Sequence, residues 1–239
     1  MRNQQLAINI GLAVCSRSED EFEKGTPLPK RVELESGTLT LNVAQQDLPL
    51  ETLCGFASRS NPKRGYLFVS KVLGKHCPVR PSGMDDVYQR LAGKLSSCDG
   101  PTVVVGMAET ATALGHGVYE HLLKRTAHSD LLYQHTTRYA LQRPLALEFA
   151  ESHSHAPQHL LYQTALPEHQ QIFQNASHLV LVDDEISTGA TLANLVLAYC
   201  RVNPQLASLQ VVSLTNWLSP EAEERFRDKV AIPTEFHNL

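Results

Sequence analysis

No apolar run in the 239-residue chain reaches the roughly 18 residues that a membrane-crossing helix requires. The nearest, residues 6–15 (LAINIGLAVC), follows Arg2 in the manner of a short secretory leader. Asn9 interrupts it and Val14 is too large for a good cleavage site, so it reads as a strand. Paired cysteines are missing too. Cys15, Cys54, Cys77, Cys98 and Cys200 are odd in number, scattered and without a CxxC, the pattern of reduced thiols in a cytoplasmic protein. Positive charge is in short supply, with 21 Lys and Arg against 25 Asp and Glu, which removes the electrostatic footing for a nucleic-acid partner. A GxxxxGK[ST] phosphate loop is absent, which leaves a P-loop kinase poorly supported. What is present is 42% hydrophobic and 19% charged residues, ordinary globular proportions in a chain long enough for one sizeable core or two small ones.

Up to about residue 100, strand-like and loop-like stretches alternate with no long internal repeat. Residues 32–35 (VELE) and 38–43 (TLTLNV) alternate apolar with polar around Ser36 and Gly37, a hairpin signature. Residues 66–73 read as another strand, and 84–95 have the i, i+3, i+4 spacing of an amphipathic helix. Residues 1–100 are therefore expected to form an α+β accessory and hood region. From Thr102 the rhythm changes. Buried-strand runs at 102–105, 178–182 and 209–214, and the start of another at 131–133, alternate with helical stretches at 110–125 and 191–201 and with a helix that Ser219 opens with Pro220 at its first position. Such alternation indicates an α/β fold, a parallel sheet with helices on both faces, over residues 101–239. Ligands bind such sheets beyond the carboxyl ends of their strands.

The sharpest motif lies at such an end. HLVLVDDEISTGAT (178–191) is an apolar strand that stops in carboxylates and turns through small residues into a helix. Ser187, Thr188 and Thr191 supply hydroxyls and Gly189 permits close backbone approach, so a phosphate fits the helix start. Asp183 and Asp184, one sugar's length away, can accept hydrogen bonds from vicinal hydroxyls. A ribose 5-phosphate satisfies both ends. The bland alternative is a strand that ends in acids and a helix that Ser187 caps. A second strand-turn-helix, VVVGMAETA (103–111), repeats the small-residue turn.

The first motif resembles the phosphoribosyl diphosphate (PRPP) signature of type I phosphoribosyltransferases. The resemblance implies that Asp183 and Asp184 hold the ribose hydroxyls and that Ser187, Thr188, Gly189, Ala190 and Thr191 wrap the 5-phosphate. It implies further that the loop carrying Ala108, Glu109 and Thr110 takes the pyrophosphate through backbone amides. Glu185 departs from the pattern, since those enzymes usually carry an apolar residue there. Mg²⁺ is the implied cofactor, held mainly through PRPP, with Asp183, Asp184 and Glu185 as the protein's candidate ligands. With GFASRSNPKRGYLFVSKVLGKHCPV and the histidine cluster below, the chain is similar to the bacterial branch found with tellurite-resistance and stress operons. That resemblance also leads to the expectation of a homodimer.

Arg59, Lys63, Arg64, Lys71, Lys75 and His76 crowd one segment of a slightly acidic chain. Cations there can stabilise a departing diphosphate, with Arg64 and Lys75 as binders and Lys71, on a strand, as a catalytic candidate; the alternative is a solvated basic face. YQHTTRY (133–139) stands where the resembled enzymes have a mobile hood loop, and Arg138 has the bidentate fork for a phosphate clamp. An exposed hairpin tip is the alternative. His153 and His155, with His159 nearby, admit three readings: a metal site, acceptor binding or proton transfer, and a solvated turn. Trp217 is a candidate for stacking on a planar acceptor, or a packed indole. The resulting expectation is a Mg²⁺-dependent phosphoribosyltransferase that displaces pyrophosphate from PRPP with a small nitrogenous acceptor. The alternative is a non-catalytic PRPP- or nucleotide-sensing regulatory module of the same fold.

Overall fold

The structure, a computed structural model, describes residues 30–60, 65–126, 130–150 and 158–239. The strand expected at residues 6–15, the cations Lys63 and Arg64, and His153 and His155 lie outside the described residues. Among those described, no helix is long and apolar enough to cross a membrane, and Cys54, Cys77, Cys98 and Cys200 form no disulfide.

Five strands form the central sheet: β5 (Thr102–Gly106), β6 (Leu131–His135), β9 (His178–Ile186), β10 (Ser208–Asn216) and β11 (Thr234–Asn238). Their order is β11-β10-β9-β5-β6, and every pairing is parallel. Val103–Val105, Leu179–Val182 and Val211–Val212 are fully enclosed, as strands covered on both faces must be. The helices α2 (Pro81–Lys94) and α3 (Thr112–Arg125) pack together on one face. The crossovers through α5 (Ala190–Val202) and α6 (Pro220–Val230) step the other way along the sheet, so right-handed connection puts them on the opposite face. There α4 (Pro167–Asn175) joins them, with Tyr199 of α5 donating to the Phe173 carbonyl at 2.6 Å. Truncating a fully enclosed leucine such as Leu181 or Leu195 costs about 2–5 kcal/mol.

The chain leaves β5 for β6 on one side and returns to lay β9 on the other. A crevice opens where the direction of strand order reverses, at the carboxyl ends of β5 and β9. Two glycines tighten it. A Cβ on Gly106 would lie 2.8 Å from the Ala111 carbonyl oxygen, and one on Gly115 would lie 2.8 Å from the Gly106 Cα, so α3 starts in direct contact with the end of β5.

Over the crevice stand two hairpins, β1 (Lys30–Leu34) with β2 (Gly37–Leu41), and β3 (Cys54–Ser58) with β4 (Tyr66–Ser70), joined through the short α1 (Leu50–Leu53). They share a small second core of Leu39, Leu41, Leu50, Cys54, Phe68 and Trp217. Val87, Leu91 and Ala92 of α2, by contrast, lie in the main core with the sheet. An antiparallel arm, β7 (Leu145–Ala150) with β8 (Gln158–Tyr162), rises after β6.

Four local expectations change. β9 does not stop at the acids: its ladder to β10 continues through Ser213↔Asp183 and Thr215↔Glu185 to Ile186. β4 ends at Ser70 rather than at residue 73, because the Ser70 hydroxyl accepts from the Val72 N–H and the Lys71 N–H turns to the Leu53 carbonyl. Lys71 is therefore not a strand residue. The helix expected from residue 110 starts at Thr112, after a turn closed by the Ala111 N–H on the Met107 carbonyl. β11 was not foreseen, since TEFHN carries no apolar run.

Candidate active site

Strand β9 delivers two carboxylates to the crevice. The Asp184 N–H donates to Asp183 Oδ1 at 2.9 Å. Burial pushes the Asp183 carboxyl well above the ordinary carboxylate value, and the neighbouring charges of Asp184 and Glu185 add to the push. Asp184 is raised by burial as well, held back by its hydrogen bond to Asp183 and by Lys75 and His76. Burial thus disfavours the charged form of both acids, and hydroxyl donors or a cation at the pair would favour it.

After Ile186 the chain turns through residues 187–189 into α5. Gly189 adopts φ 68°, and a Cβ there would approach the Phe226 ring to 3.1 Å, so the turn needs glycine twice over. Ser187 and Thr188 are exposed, and the Ala190 N–H reaches Thr188 Oγ1 at 3.4 Å. With Ala190 and Thr191 in its first turn and no acid there, α5 offers amides and the positive end of its dipole.

The second turn, residues 107–111, follows β5. Met107 N–H donates to the Val182 carbonyl at 2.9 Å, which binds the loop to β9. The Ala108–Glu109 peptide is cis. Ala108 N–H, expected to meet pyrophosphate, is taken up by Thr136 Oγ1 at 2.8 Å. Among the described residues, the N–H groups of Glu109 and Thr110 donate to no backbone carbonyl outside regular helices and strands. The Glu109 side chain is exposed.

The structure brings several expected residues together. Lys75 Nζ donates to Thr110 Oγ1 at 2.8 Å, although 35 residues separate them, and the same ammonium acts on Asp184. The bend 71–77 thus lies between the two motifs. Lys71 goes elsewhere, its Nζ donating to the Glu51 carbonyl at 3.0 Å. Its charge reaches Cys54, whose thiol is pushed up to about 11, chiefly by burial and then by Glu185. Arg138 is exposed, one residue past the bridge that ties Thr137 to Leu160 of the arm.

Trp217 is not an open stacking platform. Only 6% exposed, it lies 4.4 Å from Phe68 with ring planes 11° apart, which closes one face. It lines a cleft of about 240 Å³ together with Asn216, Glu223 and Gln46, beside the end of β10. Its Nε1 has no hydrogen-bond partner among the described residues. Two residues of interest were missed in the sequence reading. His76 was counted only as one cation among several, and Thr136 gave no signal beyond a pair of threonines. No group of three or more metal-ligating side chains occurs among the described residues.

A family model described as phosphoribosyl transferase matches residues 53–239. No curated protein matches the chain. Among solved structures, it is similar to adenine phosphoribosyltransferase from Rhodothermus marinus, with TM-score 0.54, 15% identity and coverage of 80% of this chain and 96% of that one. The enzyme from Thermoanaerobacter pseudethanolicus aligns with TM-score 0.53 and 13% identity over 80% and 98% of the two chains. The enzyme from Trypanosoma brucei, in complex with AMP, pyrophosphate and ribose-5-phosphate, aligns with TM-score 0.51 and 14% identity over 88% and 86%.

Proposed function

The chain belongs to the phosphoribosyl transferase family, and from that premise we propose that it is a Mg²⁺-dependent enzyme joining the ribose 5-phosphate of PRPP to a nitrogenous base with release of diphosphate. Its sheet and covering helices have the type I phosphoribosyltransferase fold. One observation carries the proposal furthest: Lys75 bonds Thr110 while acting on Asp184, so a cation, the β5 turn and the β9 acids converge on one crevice.

In this reading Asp183 and Asp184 accept hydrogen bonds from the ribose hydroxyls, and residues 187–191 hold the 5-phosphate on the α5 amides. Hydroxyl donors at the acids favour their ionised form, so binding and ionisation reinforce each other. The Glu109 and Thr110 amides with Lys75 receive the diphosphate, where negative charge grows as the C1–O bond breaks. The transition state is oxocarbenium-like and needs no protein nucleophile; the base nitrogen attacks C1. Arg138 and Arg64 are additional phosphate contacts from the hood loop and the basic segment, and Lys71 orders the hood through Glu51. The two acids are hard oxygen donors suited to a divalent cation whose other ligands come from PRPP and water. That cation would neutralise diphosphate charge.

The acceptor occupies the hood side of the crevice, with Glu185 and the cleft lined by Trp217 available to recognise it. Histidines 153 and 155 are assigned to acceptor binding or proton transfer. The joint presence of the basic segment and the histidine cluster supports a place in the tellurite-resistance and stress-operon branch, with a cytoplasmic homodimer as the working form. The test is diphosphate release from PRPP and Mg²⁺ across a panel of bases, alongside a thermal-shift titration with PRPP. Stabilisation by PRPP with base-dependent release is expected. A flat titration would refute the proposal.

A further inference from the structure

Thr136 and His159 are buried polar residues, 0% and 1% exposed, that none of the roles above uses. Thr136 follows β6, where its N–H donates to the Gly106 carbonyl at 3.0 Å and locks its backbone to the end of β5. Its hydroxyl oxygen accepts the Ala108 N–H at 2.8 Å. His159, on β8 of the arm, places Nδ1 3.3 Å from that same oxygen and stacks on Phe149 with centroids 5.1 Å apart and planes 16° apart. One residue further along, Thr137 and Leu160 exchange both backbone hydrogen bonds, at 2.9 and 2.8 Å. A hydroxyl has one hydrogen to give and two lone pairs. With one lone pair occupied by Ala108, the Thr136 hydroxyl keeps a hydrogen and a second lone pair for Nδ1, so it pairs with the imidazole in either tautomer.

We propose that Thr136 and His159 are positioning residues for the diphosphate loop, holding the Ala108 N–H so that the next two amides, of Glu109 and Thr110, face the leaving group. The inference rests on the loop's role in the proposed function. Its physical basis is economy of donors in a turn of residues 107–111 that is fastened at Met107 to β9 and at Ala111 to Met107. Between those points, among the described residues, only Ala108 is tied to a side chain from another element through its N–H. Without that tie the peptide planes on either side can rotate, and the amides that should converge on an anion lose their common direction. The histidine keeps the threonine rotamer and couples it to the arm, so a movement of β8 reaches the loop through one hydroxyl.

The full chain is titrated calorimetrically with PRPP and, separately, with ribose 5-phosphate, each with Mg²⁺. Thr136→Val is expected to bind PRPP about tenfold or more weakly, the scale of a lost buried hydrogen bond, while ribose 5-phosphate binds as in wild type. Thr136→Ser should restore PRPP affinity, and His159→Leu should reproduce part of the loss that His159→Asn, which keeps a hydrogen-bonding group near the Nδ1 position, recovers. In turnover, Thr136→Val should lower kcat for diphosphate release and leave KM for the base unchanged. Undiminished PRPP affinity in Thr136→Val overturns the positioning role and leaves the proposed function standing, as does an equal loss for both ligands, which marks general damage. A wild-type protein that binds ribose 5-phosphate but not PRPP overturns the diphosphate reading itself, and this inference with it.

Discussion

Replacing Asp183 by Asn should make the empty protein more stable and its ligand binding worse. The Asp183 carboxyl is raised by burial and by the charges of Asp184 and Glu185, so its ionised form is disfavoured in the folded state. A group whose folded value is raised contributes stability that is full below its unfolded value, near 3.8, and is lost as pH rises through the folded one. At pH 8 the wild-type fold has therefore lost stability at Asp183 that it holds at low pH. Asn keeps the oxygen that accepts from the Asp184 N–H. It also brings an NH₂ donor to the face where Ser213, its partner in the ladder, has a buried Oγ without a hydrogen-bond partner among the described residues. Relief of this kind at a functional site is worth about 0.5–2 kcal/mol, and for a chain of this size each kcal/mol moves Tm by about 2–4 °C. Asp183→Asn should thus melt about 1–8 °C above wild type at pH 8, with the gap closing toward pH 4. PRPP affinity should fall roughly 10- to 150-fold, the loss of a charged hydrogen-bond partner. Scanning calorimetry between pH 4 and 8 and titration with PRPP and Mg²⁺ measure both. A variant that melts lower at pH 8, or a gap that does not change with pH, would refute the reasoning.

Asp184→Asn should weaken PRPP by about 1–3 kcal/mol, and an affinity equal to wild type would remove Asp184 from the ribose. Lys75→Met, which breaks the bond to Thr110, should lower kcat more than it raises KM for PRPP; the opposite split in steady-state kinetics would make Lys75 a uniform binder. Gly189→Ala places a Cβ at φ 68° and 3.1 Å from the Phe226 ring, so a cost of about 1–2 kcal/mol and weakened ribose 5-phosphate binding are expected in melting and titration. Trp217→Ala should cost about 3–5 kcal/mol, measured by denaturant unfolding, because the indole fills the hood core. His153→Ala and His155→Ala should leave PRPP affinity intact while slowing transfer roughly 10²- to 10⁴-fold; stoichiometric zinc in elemental analysis would count against that assignment.

The β9 motif could be read from the sequence because its parts are contiguous: strand, acids, turn and helix start follow one another, and each residue type has a local reason to be there. Contacts made at long range left no such trace. Nothing near Trp217 announces that Phe68 will cover it, and nothing near Thr110 announces Lys75. The end of β9 was misjudged because carboxylates read as exposed punctuation, whereas the ladder to β10 carries them onward as paired strand residues. β11 escaped for a different reason. Its five residues are only partly buried at the sheet edge, so selection for apolar side chains is weak there. The apolar pattern around Lys71 reads as strand, but hydrogen bonds from the Val72 N–H to the Ser70 hydroxyl and from the Lys71 N–H to the Leu53 carbonyl cut it short.

Because β9 runs on to Ile186, the two acids stand within a hydrogen-bonded lattice rather than on a hinge. In the proposed function the ribose end of the crevice is thus assembled before any ligand arrives, and little ordering entropy is left to lose there. The proposed diphosphate end is built differently, from a bend at 71–77 and a turn held by side-chain hydroxyls. On the proposed roles, the sugar phosphate meets groups carried by a strand and a helix start, and the diphosphate meets groups carried by loops. On that assignment, holding the sugar phosphate and stabilising the departing diphosphate fall to separate parts of the molecule, which substitution can tune independently.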